Sequence, residues 1–250
     1  MSEILNIKNL TIEAHDEDGW KPIVNDIDLY LKKGEVLGLI GESGAGKSTM
    51  GLAAMGFARP GCRISGGSIE FSGMELTKTS RNKRQKLRGS RIAYVAQSAA
   101  ASFNPAHRLI HQFAETPVHH GLMNQAEAKA NAIKLYRQLD LPEPEIFGFR
   151  FPHQVSGGQL QRAMVAMAMG CNPDLIIFDE PTTALDVTTQ IEVLATIKDV
   201  VKDLNMAAIY ISHDLSVVVQ LADRIMVLLN GNLVEESQVK DILENPQREY

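Results

Sequence analysis

The chain has 250 residues, 44% of them hydrophobic and 22% charged, enough apolar material for one large or two modest domains without covalent staples. Its net charge of −5 argues against a general nucleic-acid binder, which carries a basic surplus, and its two isolated cysteines, Cys62 and Cys171, suit a reducing compartment rather than a disulfide framework. MSEILNIKNL shows no signal-peptide pattern, and no apolar run approaches the roughly 18 residues of a spanning helix, so contact with a membrane is expected only through another protein.

In chain order, residues 4–12 and 27–31 alternate in β fashion around the polar stretch EAHDEDG, which predicts a hairpin-rich N-terminal region. LKKGE turns the chain, and Val36 to Ile40 is a nearly continuous apolar run, the pattern of a strand buried on both faces. GESGAGKST (41–49) follows, then a helix predicted through Met50 to Phe57 and weakened by Gly51 and Gly56. SIEFSG and RIAYVAQ read as strands, and the basic segment TKTSRNKRQKLRGS between them as a solvated helix face. From about 98 to 170 helix-forming segments dominate, broken by Pro105, Pro117, Pro142, Pro144 and Pro152, which predicts a helical insertion. DLIIFD (174–179) is another buried-strand pattern. Beyond Val187, residues Ile191, Leu194, Ile197, Val201 and Leu204 step by three or four, predicting an amphipathic helix. MAAIYIS and RIMVLLN add strands around a short helix, and Asn230-Gly231 makes a hairpin turn before LVEE. Strands alternating with helices predict an α/β fold with a mainly parallel sheet covered on both faces.

Gly41, Gly46, Lys47 and Ser48 fit the pattern G-x-x-x-x-G-K-[ST] between a predicted strand and a predicted helix, the context its chemistry requires. Glycines let successive N–H groups form one concave anion site, at which the following helix also aims its positive end. Lys47 can reach terminal phosphates, and the Ser48 hydroxyl can ligate Mg²⁺. A polyphosphate is therefore expected on Gly41, Glu42, Ser43, Gly44, Ala45, Gly46, Lys47, Ser48 and Thr49. LIIFDE supplies a second part: Asp179 offers a carboxylate to the magnesium shell, and Glu180 can orient or deprotonate an attacking water. The plainer reading of DEP is a strand end followed by a turn, but two adjacent carboxylates beside a phosphate loop are costly without a cation.

With these residues in place, the sequence resembles the ATP-binding subunits of ABC transporters over nearly its whole length. VSGGQ (155–159) resembles the family's signature loop, with valine where leucine is usual; PTTALD (181–186) resembles its D-loop, with Asp186 as the acidic member. His213 in YISHD matches the switch histidine, and Gln97 in YVAQ the Q-loop glutamine. The resemblance implies a P-loop NTPase core with an N-terminal antiparallel β subdomain, one domain spanning 1–250 with about 98–170 as an inserted helical subdomain. It implies ATP and Mg²⁺ as cofactors, with the ion on Ser48, Gln97 and Asp179, and catalysis by Glu180, His213 and Gln97. Ser156, Gly157, Gly158, Gln159 and Asp186 would then serve the ATP of a second ATP-binding subunit or half, in a homodimer, a heterodimer or a tandem fusion.

SAAASFNPA after Gln97, FPHQVSGGQLQR and ENPQREY resemble the peptide and nickel import branch of that family. The branch implies a motor at the cytoplasmic face of the inner membrane, held by membrane-spanning permease subunits and served by an extracytoplasmic solute-binding protein. The surface after Gln97 is where the family receives a short cytoplasmic helix of the membrane subunit. The alternative is a non-transport member acting in a soluble assembly of the carbon–phosphorus lyase type; a soluble P-loop kinase would leave VSGGQ and the D-loop unexplained. Two departures stand out. Where the family stacks an aromatic residue on adenine this chain has Ala14 and His15, with Trp20 the nearest replacement. Members of the branch also continue past the last segment, so a chain ending at Tyr250 is expected to be cut short or to be half of a longer tandem protein.

Overall fold

The computed structural model describes residues 3–182 and 185–244. Along the chain run β1 (Glu3–Asp16), β2 (Gly19–Lys32), β3 (Val36–Gly41), α1 (Lys47–Ala54), β4 (Cys62–Phe71), β5 (Met74–Glu75), α2 (Arg81–Leu87), β6 (Ile92–Val95), α3 (Ala99–Ser102), α4 (Leu109–His119), α5 (Gln125–Gln138) and α6 (Pro144–Phe147). After a short 3₁₀ turn at Pro152–Gln154 come α7 (Gly157–Met169), β7 (Leu175–Asp179), α8 (Val187–Asp203), β8 (Ala207–Ser212), α9 (Leu215–Leu221), β9 (Arg224–Leu229), β10 (Asn232–Gln238) and α10 (Val239–Glu244). These elements form two compact units, Met1–Gln85 with Ala207–Tyr250, and Lys86–Met206. The segment ENPQREY lies outside the described residues from Asn245 onward, as do Thr183 and Ala184 of PTTALD.

In the first unit β1 and β2, 14 residues each, form an antiparallel hairpin, with β4 and β5 completing a sheet in the order β2-β1-β4-β5. The hairpin runs further than the apolar alternation predicts. Residues 13–16 and 19–26 stay in the ladder through pairs such as His15↔Trp20 and Ala14↔Lys21, with β4 also pairing at Glu13 and Ala14, because main-chain hydrogen bonds extend the ladder even where its side chains face water. Leu5, Ile7, Leu10 and Ile12 of β1 and Val24, Ile27, Leu29 and Leu31 of β2 are fully or almost fully buried, so the face opposite the solvent carries the cohesion. The same unit holds β10, β9, β3 and β8 in that spatial order. β3 pairs in parallel with β9 on one side and β8 on the other, while β10 returns antiparallel to β9 through the turn at Asn230-Gly231. All six residues of β8 are buried, the pattern of a strand covered on both faces.

The second unit contains the parallel pair β6 and β7, registered from Ile92↔Leu175 to Val95↔Phe178. Between those strands the chain from Ala99 to Met169 is helical and loop segments only. Phe113, Tyr136 and Phe147 make its aromatic centre, edge to face at 6.0 and 5.2 Å between ring centres, and burial pushes the Tyr136 hydroxyl above its ordinary pKa. α8 buries Leu194, Ile197 and Val201 as its periodicity predicts, but Val187 and Ile191 in its first turns are 72% and 52% exposed. Regular spacing identified the helix without revealing that its apolar stripe runs out into solvent at the N-terminal end. The basic segment forms α2, which buries no residue. Among the described residues no helix is long and apolar enough to cross a membrane.

Candidate nucleotide site

The loop after β3 belongs to the first unit. Its glycines 41, 44 and 46 have φ of 152°, 85° and 94°. A Cβ on Gly41 would come within 2.2 Å of the Leu228 carbonyl oxygen, and one on Gly46 within 2.8 Å of the Ile23 carbonyl oxygen. β9 and β2 thus press on the loop closely enough that glycine is required at both ends. Gly46 caps α1, which begins at Lys47 and not, as the sequence predicts, at Met50; the helix stops at Ala54 with Gly56 at φ 62°. Lys47 is 5% exposed, and its ammonium donates to the carbonyls of Gly41 at 2.7 Å and Glu42 at 2.8 Å. Those carbonyls orient a cation without neutralising it. Glu42, Ser43 and Gly44 are exposed, and nothing lies within 4 Å of where a Gly44 Cβ would be. Open backbone, a helix N-terminus and an oriented ammonium make a cradle that fits a polyphosphate.

Strand pairing carries a second predicted residue to this end of the sheet. Ile40 of β3 is opposite Ser212 of β8, so Gly41 and His213 leave adjacent strand ends. His213 is exposed on a tight turn in which the Asp214 N–H donates to the Ser212 hydroxyl at 3.0 Å. Asp214 caps α9 by accepting from the Ser216 hydroxyl at 2.6 Å and the Ser216 N–H at 2.8 Å, and these bonds hold its carboxyl below the ordinary range.

The second unit contains the carboxylates. β7 ends at Asp179, 5% exposed, and Glu180 follows at φ 49°, a left-handed conformation that costs a non-glycine residue roughly 1–3 kcal/mol and clusters at functional sites. Gln97, just past β6, donates from Nε2 to Glu180 Oε2 at 3.1 Å. The Tyr94 hydroxyl donates to Asp179 Oδ2, a contact the sequence reading did not anticipate. Nothing in YVAQ distinguishes a tyrosine reaching a carboxylate from one filling a core.

The signature segment and the D-loop residue also lie in this unit. Ser156 caps α7 in a reciprocal box: Gln159 N–H donates to Ser156 Oγ at 3.3 Å, and Ser156 N–H to Gln159 Oε1 at 3.1 Å. Gln159 is therefore turned back on its own helix. Asp186 caps α8 and accepts from the Thr189 N–H at 3.0 Å and the Thr189 hydroxyl at 2.8 Å, which holds its carboxyl below the ordinary range. A Cβ on Gly158 would meet Thr189 Cγ2 at 2.4 Å, so one threonine both fixes Asp186 and packs on the signature glycine. Thr189, too, was missed, since no motif singles it out.

Trp20 is 39% exposed; the Arg63 guanidinium lies 4.2 Å over its ring, and the His15 ring meets it edge-on at 5.1 Å. With these contacts engaging the indole, Trp20→Ala is expected to weaken ATP binding by less than the about 1–3 kcal/mol that a base–aromatic stack contributes. Calorimetric titration checks this, and a loss of the full amount would make Trp20 the adenine platform.

An α/β core with a glycine-and-lysine phosphate loop defines a nucleotide-binding protein of the P-loop class. Residues 24–183 match the family model described as ABC transporter. The chain is 38% identical to the oligopeptide transport ATP-binding protein AppD of Bacillus subtilis (strain 168), over 100% of its own length and 76% of the relative's. It is 37% identical to the oligopeptide transport ATP-binding protein OppD of Escherichia coli (strain K12), over 99% and 73% respectively, and 39% identical to the metal-staphylopine import system ATP-binding protein CntD of Staphylococcus aureus (strain Mu50 / ATCC 700699), over 99% and 90%. Its fold is similar to that of the dimeric bacterial ABC transporter cassette MJ0796, with a TM-score of 0.82 and 24% identity across 94% of this chain and 98% of that one. The chain belongs to the ABC transporter family, as one of its ATP-binding, ATP-hydrolysing subunits.

Proposed function

We propose that the chain drives an importer of peptides or of similar small, peptide-like or metal-carrying solutes. The observation that carries this reading is similarity to AppD, OppD and CntD across 99–100% of this chain, a span that takes in the motif positions. In this reading residues 1–250 act as one ATPase domain whose strand-free stretch, about 98–170, is the helical subdomain. The motor sits at the cytoplasmic face of the inner membrane, bound to permease subunits, with an extracytoplasmic solute-binding protein delivering cargo.

Residues 41–49 hold the phosphates of ATP, and Ser48, Gln97 and Asp179 would hold Mg²⁺. The ion supplies neutralisation of charge on the phosphate oxygens. Glu180 accepts a proton from the attacking water, and Gln97, already hydrogen-bonded to that carboxylate, relays its position to the helical segment. His213 keeps the terminal phosphate and the base in register. Ser156, Gly157, Gly158, Gln159 and Asp186 face the nucleotide of a second ATP-binding subunit, so that ATP joins two subunits and hydrolysis releases them. Support for the assembly comes from the α7 N-terminus, where Ser156 and Gly157 are exposed and the serine oxygen is engaged as an acceptor, its proton left to donate to an anion. Uncovered Val187 and Ile191 beside Asp186 offer apolar surface to the same partner.

Co-purification with the membrane subunits, followed by ATPase assay in proteoliposomes with peptides or metal chelates as cargo, tests the reading. Cargo-stimulated hydrolysis is the expected result. Stable assembly with a soluble enzyme complex and no membrane subunit would favour the accessory role instead.

A further inference from the structure

Strand β6 and the residues just after it bring two side chains to the carboxylates Asp179 and Glu180, and only the glutamine, Gln97, belongs to a motif. Tyr94 is the other: its hydroxyl donates to Asp179 Oδ2. Its residue also lines a cavity of about 170 Å³ with Gly89, Ser102, Thr116, Met164 and Met167. These walls come from β6, the turn before it and the helices α3, α4 and α7, all within the second unit.

Asp179 is almost completely buried, and a buried carboxylate depends on hydrogen-bond donors to replace lost water. A donor on one oxygen also fixes the plane of the group and hence the direction in which the other oxygen can meet a cation. Phenylalanine at position 94 would keep the ring and lose the hydroxyl that donates to Asp179. The phenol is thus accounted for by the carboxylate and the ring by the cavity wall.

We propose that Tyr94 is a positioning residue that sets Asp179 for a divalent cation. It also makes the cavity wall part of the metal-facing carboxylate's support. The inference rests on the reading of Asp179 as the carboxylate that serves Mg²⁺. Anything that packs into the cavity against the ring bears on the hydroxyl, and through it on Asp179.

Tyr94→Phe tests the proposal, since it removes one oxygen and keeps the ring. A fluorescent ATP analogue is titrated with excess Mg²⁺ and again in EDTA, and the Mg²⁺ concentration that half-saturates the ATP-bound protein is measured. The expected result is unchanged binding in EDTA and a rise of about tenfold or more in the Mg²⁺ requirement, the size seen when a group orienting a metal ligand is lost. An unchanged Mg²⁺ requirement, or an equal loss with and without Mg²⁺, overturns the assignment. Asp179→Asn is run beside it. If that variant alters the Mg²⁺ requirement and Tyr94→Phe does not, only the role of Tyr94 falls; if neither does, the reading of Asp179 itself is wrong.

Discussion

Glu180→Gln is expected to retain ATP binding while lowering turnover by about 10²–10⁴, the usual contribution of a positioned general base. The substitution preserves side-chain shape, and the amide carbonyl can still accept the Gln97 Nε2 hydrogen bond seen at 3.1 Å. Backbone geometry at φ 49° is equally available to glutamine, so position and packing are conserved. What disappears is the ability to take a proton from water. Single-turnover hydrolysis of radiolabelled ATP separates this from binding: the ATP dissociation constant should stay within a few-fold of native while the chemical step slows. Hydrolysis at the native rate would remove Glu180 from the role and direct attention to His213, on the turn after β8.

How far the fold was legible depended on whether burial or pairing formed each element. β3, β7 and β8 are short and apolar up to the polar Asp179 and Ser212 that end the last two, and covered sheets favour such runs, so their positions read directly from VLGLI, DLIIFD and MAAIYIS. The outer half of the β1/β2 hairpin did not read as strand because its residues, EAHD and GWKP among them, are polar and largely exposed. Main-chain pairing across Asp16↔Gly19 holds it, and periodicity carries no record of that. α8 shows the reverse case: its spacing was plain, while the exposure of Val187 and Ile191 depends on what packs beside the helix.

The candidate site divides in the same way. Phosphate-loop, carboxylate and signature residues are legible because each chemical task fixes residue type and local spacing together, as in Gly46-Lys47-Ser48 or Asp179-Glu180. Tyr94 and Thr189 act on Asp179 and Asp186 from their own elements, and ordinary strand and helix positions give them no signature. Tyr94 and Asp179 are 85 residues apart, and only the β6/β7 register brings them together. Gln159 is assigned to the nucleotide through its motif, and its side-chain oxygen also accepts from the Ser156 N–H, the capping task of a glutamine at the third position of a helix whose N-cap is serine.

Lys47→Met is expected to weaken ATP binding by about 10–150-fold, which corresponds to the roughly 1.5–3 kcal/mol of a hydrogen bond to a charged group. Methionine keeps an unbranched apolar stem one heavy atom shorter than that of lysine, so the nearly buried channel that leaves Lys47 5% exposed stays mostly filled. Two effects oppose each other in the free protein. Burying a cation is unfavourable and its removal relieves that cost, while the Gly41 and Glu42 carbonyls that accept from Nζ at 2.7 and 2.8 Å lose their donor. The Glu42 side of the loop is exposed and water can take over there, so the change in folding stability should be small beside the change in affinity. Adenosine supplies the control, because it lacks the phosphates that the ammonium addresses. Its binding should be unaffected by Lys47→Met, and an equal loss for adenosine and ATP would mean that the lysine shapes the loop and contributes no charge to the phosphates.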